Sequence, residues 1–263
     1  MFGFALLGPF NEPYQIPEIG YHIQGDIGAP KNKGEEYRWN TRTVFYAYDE
    51  NFLDYFGSNG VAAVDQAIGI MNALTNLSSY SSDLSEIPQR AARFNSTALS
   101  LSLLDLKTSA LHALMEQLGL AEPERYVWTL HNRFLTPQGT CPLDETYTVI
   151  KRNFDPVTTD YSSYVNGVLY SYFIVEICTG PDPLAQTVGF PVDPTEPGLT
   201  AVAGRNFGEG IYYTGLTRDD VGGLRYLMGT NRLHVESVEP TSQLIVTNNN
   251  SELLVTSDLA LFS

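Results

Sequence analysis

Residues 107–119 show the most regular pattern of apolar and polar positions in the chain. Four apolar residues recur there at the spacing of one helix face: Leu111, Leu114, Met115 and Leu118. Since no proline or earlier glycine interrupts the stretch, the pattern predicts an amphipathic helix with Gly119 as its C-cap. Residues four apart lie one above the other, so His112 and Glu116 share a second face of this helix.

Two other stretches have helical spacing. In residues 61–74 the apolar positions are Val61, Val64, Ile68 and Met71. In residues 216–229, Thr217 is suited to the N-cap, while Asp219 and Asp220 fall in the first turn, where the helix dipole favours carboxylates. Gly229 is placed to stop that helix. Both stretches are therefore predicted to be helices.

Alternating β-branched and aromatic residues predict four strands, at residues 37–49, 126–131, 146–151 and 168–177. Turn residues at 153–156 and at Asn166–Gly167 favour antiparallel connections. We therefore expect an antiparallel β insertion at about residues 123–200, which ends in an acidic, proline-rich loop. Residues 231–263 show short extended pieces and stop in mid-pattern, which favours further regions beyond them.

Residues 1–36 are rich in glycine and proline and have no lasting periodicity, so they form either an ordered lead-in or a flexible arm. Their first twelve residues carry five large apolar side chains: Phe2, Phe4, Leu6, Leu7 and Phe10. Apolar side chains on an arm suit docking on a protein partner or on a second copy of the chain. Residues 1–12 are therefore a candidate self-association segment.

Composition narrows the class of protein. The chain has 263 residues, of which 43% are hydrophobic, so a folded domain of substantial core is expected. A formal net charge of −15 argues against nucleic acid or an anionic membrane as partner. No run of about twenty apolar residues is present, which predicts no membrane span.

The abundance of Tyr, Asn, Thr and Ser over Lys favours a secreted or cell-surface protein. Cys141 and Cys178 each lie beside strand-like sequence. In an exported chain they would form one disulfide, and two buried thiols are the alternative.

Residues 112–122 resemble the active-site helix of metzincin metalloproteases, H-E-x-x-H-x-x-G-x-x-H. His112 stands at the first zinc-binding histidine and Ala113 at the catalytic glutamate. Glu116 and Glu122 stand at the second and third histidines, and Gly119 at the glycine that turns the chain. The motif is therefore degenerate at three of its five defining positions.

Two further stretches resemble matrixins, a branch of that family. Arg38–Trp39 followed by the helix at 62–74 is similar to the start of their catalytic domain, and residues 216–229 are similar to their closing helix, L-S/T-x-D-D-I-x-G-I-x-x-L-Y-G. Residues 210–215 lie where the family has its Met-turn, with Tyr212 or Tyr213 in place of the methionine. The resemblance implies an α+β, zincin-like fold over residues 37–230, with a mixed sheet and a long active-site-type helix.

The resemblance also bears on function. Metal-assisted peptide hydrolysis needs an open zinc site and a carboxylate that takes a proton from the bound water. Ala113 cannot take a proton, so no catalytic residue and no cofactor are expected, although His112, Glu116 and Glu122 could hold a residual divalent metal, zinc or calcium. We expect an exported pseudo-metalloprotease with a structural, binding or assembly role at the cell surface, such as a filament or matrix subunit.

One enzymatic alternative stays open at this point. In it, His112, Glu116 and a third group, Glu122 or His131, bind zinc in an atypical endopeptidase. Either Glu116 or Glu124 would then serve as the base. The simplest alternative is a solvated helix face on which His112 and Glu116 form only a weak pair.

Overall fold

The structure is a computed structural model that describes residues 2–6, 43–74, 76–134, 146–177, 184–196, 198, 201–204, 208–229, 244–248 and 251–254. The helices in these ranges are α1 (Glu50–Asn72), α2 (Ser96–Ser100), α3 (Leu106–Gln117), α4 (Pro123–Tyr126) and α5 (Arg218–Leu227). The strands are β1 (Phe4–Leu6), β2 (Ala92–Phe94), β3 (Leu120–Ala121), β4 (Thr129–Phe134), β5 (Thr146–Ile150), β6 (Asn153–Phe154), β7 (Tyr164–Val165), β8 (Val168–Ile177), β9 (Leu184–Pro191), β10 (Ile211–Tyr213), β11 (Leu244–Asn248) and β12 (Ser251–Leu254).

The described strands pair in antiparallel fashion and lie beside the helices, which confirms the predicted α+β class. The order β3-β1-β6 forms one three-stranded sheet and β7-β8-β9 another. Three strand pairs, β2 with β10, β4 with β5 and β11 with β12, complete the arrangement.

The predicted helix at 107–119 is confirmed as α3. Asp105 caps its start, because the Asp105 carboxylate accepts hydrogen bonds from the backbone N–H and the hydroxyl of Thr108. Leu111 and Met115 are fully buried in the main core. The helix ends at Gln117 with Leu118, not the predicted Gly119, as its C-cap. The chain turns at Gly119, whose φ of +104° is a conformation that glycine adopts without the steric cost of a Cβ.

The helix predicted at 61–74 is confirmed over most of its length but begins earlier, because α1 starts after the cap residue Asp49 and kinks at Gly57. The strand predicted at 37–49 is wrong for residues 43–49, which have no regular structure. The hydroxyls of Tyr46 and Tyr48 both donate to Asp65 on α1, so this segment is held by the helix and not by a neighbouring strand. Residues 37–42 lie outside the described ranges.

The closing helix α5 is confirmed with the predicted start, since Thr217 and Asp220 form a reciprocal capping box. Its buried positions include Val221, Leu224 and Leu227. Gly222 and Gly223 let neighbours approach closely, because a Cβ at Gly223 would lie 2.7 Å from Leu120 Cδ2.

Strand β1 lies at the centre of its sheet, where Ala5 pairs with Ala121 on one side and with Asn153 on the other. Phe4 and Leu6 belong to the main core. These two side chains of the predicted self-association segment are therefore not exposed contact residues. Leu7 and Phe10 lie outside the described residues.

The antiparallel strands predicted after residue 123 are confirmed in β5 and β8, and Asn166 and Gly167, with φ of +44° and +86°, make the predicted turn between β7 and β8. The strand predicted at 126–131 begins only at Thr129, because Pro123–Tyr126 form the helical turn α4. Cys141 and Cys178 lie outside the described residues, so their disulfide stays a prediction.

Candidate functional site

His112 lies in a buried position on α3 with both ring nitrogens engaged. Only 7% of the residue is exposed. Its Nδ1 lies 2.9 Å from the carbonyl oxygen of Val202. Because a carbonyl can only accept, Nδ1 carries the proton of this hydrogen bond. Its Nε2 lies 3.4 Å from Oε1 of Glu116, so the predicted face-sharing pair is formed.

The charges around His112 favour its protonated form. Burial by itself would lower the pKa of the imidazole, but the hydrogen bonds to Glu116 and to the Val202 carbonyl, with the charges of Glu116 and Glu122, raise it above its ordinary value. The surroundings of His112 therefore favour a proton held between its imidazole and the Glu116 carboxylate.

The other positions of the motif lie on α3 or shortly after its end. Ala113 is on an exposed face of α3. Glu122 precedes α4 and is half-buried, and its charge acts on His112. Among the residues that the structure describes, no three His, Cys, Asp or Glu side chains are grouped closely enough to hold a metal ion. The metal set His112, Glu116 and Glu122 stays a prediction.

The residues of the enzymatic alternative are placed differently from His112. Glu124 is buried, and its Oε1 accepts a hydrogen bond of 3.2 Å from the backbone N–H of Ala201. A Cβ at Gly204 would collide with the Glu124 carboxylate, so the glycine is what admits this side chain. The side chain of His131 lies outside the described residues.

The turn at Gly119 brings the end of α3 to the end of α5. A Cβ at Gly119 would lie 3.3 Å from Cδ1 of Leu227. Leu111 and Met115 share one apolar core with Leu224 and Leu227. Two of the three stretches that carry the family resemblance are thus in contact.

Asp219 and Asp220 are the residues whose role the sequence did not reveal. Oδ2 of Asp219 accepts hydrogen bonds from the backbone N–H groups of Gly3, at 2.7 Å, and Asn166, at 2.6 Å. Asp220 accepts from the N–H groups of Val202 and Ala203, at 3.0 and 2.9 Å. The pair therefore fastens three distant segments to α5.

Both carboxyls are fully buried, and burial raises their pKa in spite of the hydrogen bonds that they accept. The sequence indicated the burial of these two aspartates only in part. The helix dipole favours aspartates at the start of an exposed helix as well, so their position alone does not distinguish the two cases. The flanking Val221, Gly222 and Gly223 were the indication that this first turn is buried.

Val202 connects the two helices of the site. Its carbonyl accepts a hydrogen bond from Nδ1 of His112 on α3, while its N–H donates to the Asp220 carboxylate on α5. In residues 210–215, where the resemblance would place a Met-turn, Tyr213 is buried in β10 and its N–H donates to the Thr108 hydroxyl at the start of α3. Burial raises the pKa of the Tyr213 phenol, so it stays protonated.

Comparisons with protein families, curated proteins and solved structures find no match to this chain. The metzincin resemblance therefore stays a prediction based on the three sequence stretches. No helix in the described ranges has both the length and the apolar character needed to cross a bilayer.

Proposed function

We propose that this chain is an exported, non-catalytic zincin-like protein with a structural, binding or assembly role at the cell surface. The observation that carries the proposal is the His112–Glu116 pair. The histidine at the first zinc-ligand position donates through Nδ1 to Val202 and faces a carboxylate with Nε2. While Nε2 carries the proton that it shares with Glu116, it has no lone pair for a metal ion, so a metal would have to displace that proton.

The position of the general base supports the same proposal. Residue 113 is an alanine on an exposed face, and a methyl group takes no proton from water. Glu116, the nearest carboxylate along the helix, is already paired with His112. If Glu116 were the base, it would have to act as metal ligand and base at once, and the other candidate base, Glu124, is buried and accepts a hydrogen bond from Ala201.

The zincin-like part of the proposal is supported by the contact between α3 and α5. In the resemblance, these helices are the active-site helix and the closing helix. Here they share one core, and the glycine turn after α3 packs against Leu227. Fold alone does not determine activity, so the proposed absence of catalysis depends on the residues of the site.

A metal analysis combined with a peptidase assay tests the absence of catalysis. The purified wild-type chain is incubated with zinc, and cleavage of a casein substrate is followed with and without a chelator. We expect no chelator-sensitive cleavage. Chelator-sensitive cleavage that is abolished by His112→Ala would overturn the proposal in favour of an atypical zinc-dependent endopeptidase.

Restoring the motif tests the zincin-like geometry separately. The triple variant Ala113→Glu, Glu116→His and Glu122→His completes the sequence H-E-x-x-H-x-x-G-x-x-H. If the turn at Gly119 is zincin-like, the variant should bind about one zinc per chain at micromolar concentration or tighter. The single variant Ala113→Glu is the control and should not bind. A folded triple variant without zinc affinity would reject the zincin-like fold.

A further inference from the structure

The start of α1 carries a set of aromatic rings on the surface of the molecule. We define the aromatic cluster as Tyr46, Tyr48, Phe52, Tyr55 and Phe56. Neighbouring rings along it have centroids 4.7 to 5.7 Å apart. Tyr55 is 82% exposed and Tyr46 is 55% exposed. Tyr48 and Phe52 are half-buried and link the exposed rings. A contiguous set of this kind on a surface is typical of an interaction site.

The cluster is held in a fixed arrangement. The hydroxyls of Tyr46 and Tyr48 donate to the same oxygen of Asp65, at 2.9 and 2.6 Å. The kink at Gly57 is followed by the buried Gly60, where a Cβ would collide with Phe56 and lie 3.1 Å from the Phe52 ring. The rings are therefore pre-organised by the backbone as well as by their own contacts.

The charged residues of the segment that carries the cluster all have one sign. Residues 43–74 contain four carboxylates, Asp49, Glu50, Asp54 and Asp65, and no lysine, arginine or histidine. Asp49, Glu50, Asp54 and Asp65 are all exposed. A surface of this kind repels nucleic acid and anionic lipid, whereas it attracts cations.

Aromatic faces bind guanidinium and ammonium groups, and carboxylates at their rim strengthen that preference. The molecule uses the same chemistry elsewhere, since the Arg218 guanidinium lies 4.7 Å from the centroid of the Phe2 ring. Exposed aliphatic side chains beside the cluster, Val44 and Leu53, add an apolar component to the surface.

We propose that the aromatic cluster is a docking surface for a basic, amphipathic segment of a partner protein, one that presents arginine and leucine side chains on one helix face. Charge complementarity selects this occupant over an uncharged sugar, because the exposed carboxylates of residues 43–74 attract a cation and not a neutral ligand. The proposal is independent of the His112 site and holds whether or not the chain is catalytic.

A synthetic 18-residue helical peptide of leucine and arginine is the probe, and the same peptide with glutamate in place of arginine is the control. Both are titrated into the wild-type chain by calorimetry at about 0.1 M salt. We expect micromolar binding of the arginine peptide and no binding of the glutamate peptide. Absence of binding at about 100 µM arginine peptide, or binding of cellohexaose instead, would overturn the proposal.

Variants separate the cluster from the general attraction of an acidic protein for a basic peptide. Tyr55→Ala with Asp54→Asn should weaken binding about tenfold. Leu101→Ala with Asp160→Asn removes an exposed apolar residue and one charge outside the cluster and should change affinity less than twofold. Equal weakening by the two pairs would mean that only net charge is recognised and would reject the docking surface.

Two glycines of α1 provide a matched test of the ring arrangement. Gly60→Ala displaces the rings without removing any aromatic or charged group, whereas a Cβ at Gly69 meets nothing within 4 Å. We expect Gly60→Ala to lose about tenfold in affinity and Gly69→Ala to bind as the wild type does. Equal affinities for these two variants, both folded by circular dichroism, would also contradict the proposal.

Discussion

At the scale of single residues, protonation of His112 affects the stability of the folded state. Its Nδ1 is committed to a carbonyl, and its Nε2 faces Glu116, so the pair is complete only when the imidazole carries its second proton. The raised pKa of His112 means that the folded state holds this proton more tightly than the unfolded state does.

Replacing Glu116 by glutamine should therefore destabilise the fold in a pH-dependent way. The contribution of the pair is fully present below the unfolded-state pKa of histidine and is lost as pH rises through the raised folded-state pKa. We expect a cost of about 1 kcal/mol at pH 5.5 that fades by pH 9, since solvent screens the charge of the partly exposed Glu116. Urea unfolding across this range measures it.

Glu209→Gln serves as the control for that series, since Glu209 is exposed in a turn. Its cost should be small and independent of pH. If Glu116→Gln behaved in the same way, the His112–Glu116 pair would have no energetic weight.

Gly119 provides a second test at the same scale. Its positive φ penalises any residue with a Cβ, and Leu227 is already close. Gly119→Ala should lower the free energy of unfolding by about 1–3 kcal/mol. Gly215→Ala, at a position where a Cβ meets nothing within 4 Å, should cost less than half as much in the same thermal melts.

At the scale of elements, α5 joins parts of the chain that are far apart in sequence. Asp219 bonds to Gly3 beside β1 and to Asn166 in the β7–β8 turn, while Asp220 bonds to the segment at 201–204. The first turn of α5 therefore stabilises the fold by hydrogen bonding, in addition to the packing of its apolar face.

Asp219→Ala removes the acceptor of two buried N–H groups. We expect a loss of about 2–4 kcal/mol, because each orphaned donor keeps its desolvation cost. Hydrogen exchange should accelerate at Phe4–Leu6 before the rest of the core. Asp193→Ala, which breaks only an exposed turn, should cost less than about 1 kcal/mol. Unchanged protection of β1 in Asp219→Ala would show that the Gly3 contact is unimportant.

The sequence predicted the elements whose signals are local. The helix α3, the capped start of α5 and the turn at Asn166–Gly167 depend on residues within about four positions of one another. The pairing of His112 with Glu116 follows from the same short-range geometry.

Features that depend on distant partners could not be predicted. The sequence around Val202 gives no indication that its carbonyl forms a hydrogen bond with His112, which lies 90 positions away. The alternation at residues 43–48 has the same form in a strand as in a segment whose tyrosines bond to a following helix, so the prediction of a strand failed there. The burial of Asp219 was hidden for a related reason, because helix starts favour aspartate even when exposed.

At the scale of the whole molecule, stability depends on a short segment far from its partners in sequence. Strand β1 has three residues, yet it holds the centre of a sheet and supplies Phe4 and Leu6 to the main core.

The double variant Phe4→Ala with Leu6→Ala should lose about 5–8 kcal/mol, which is comparable with the whole stability of a typical domain. We expect no cooperative thermal transition. Phe45→Ala with Leu53→Ala removes the same residue types from exposed positions and should cost about 1 kcal/mol or less. A cooperative melt of the first variant near that of the wild type would disprove the central role of β1.

The position of β1 has a consequence for biosynthesis. Its partners are Leu120–Ala121 and Asn153–Phe154, so a nascent chain must carry Phe4 and Leu6 without their complete sheet until about 150 further residues have been synthesised. During that interval these side chains are open to chaperones and to aggregation. Phe4 and Leu6 thus wait longer for their native neighbours than residues whose partners lie close in sequence do.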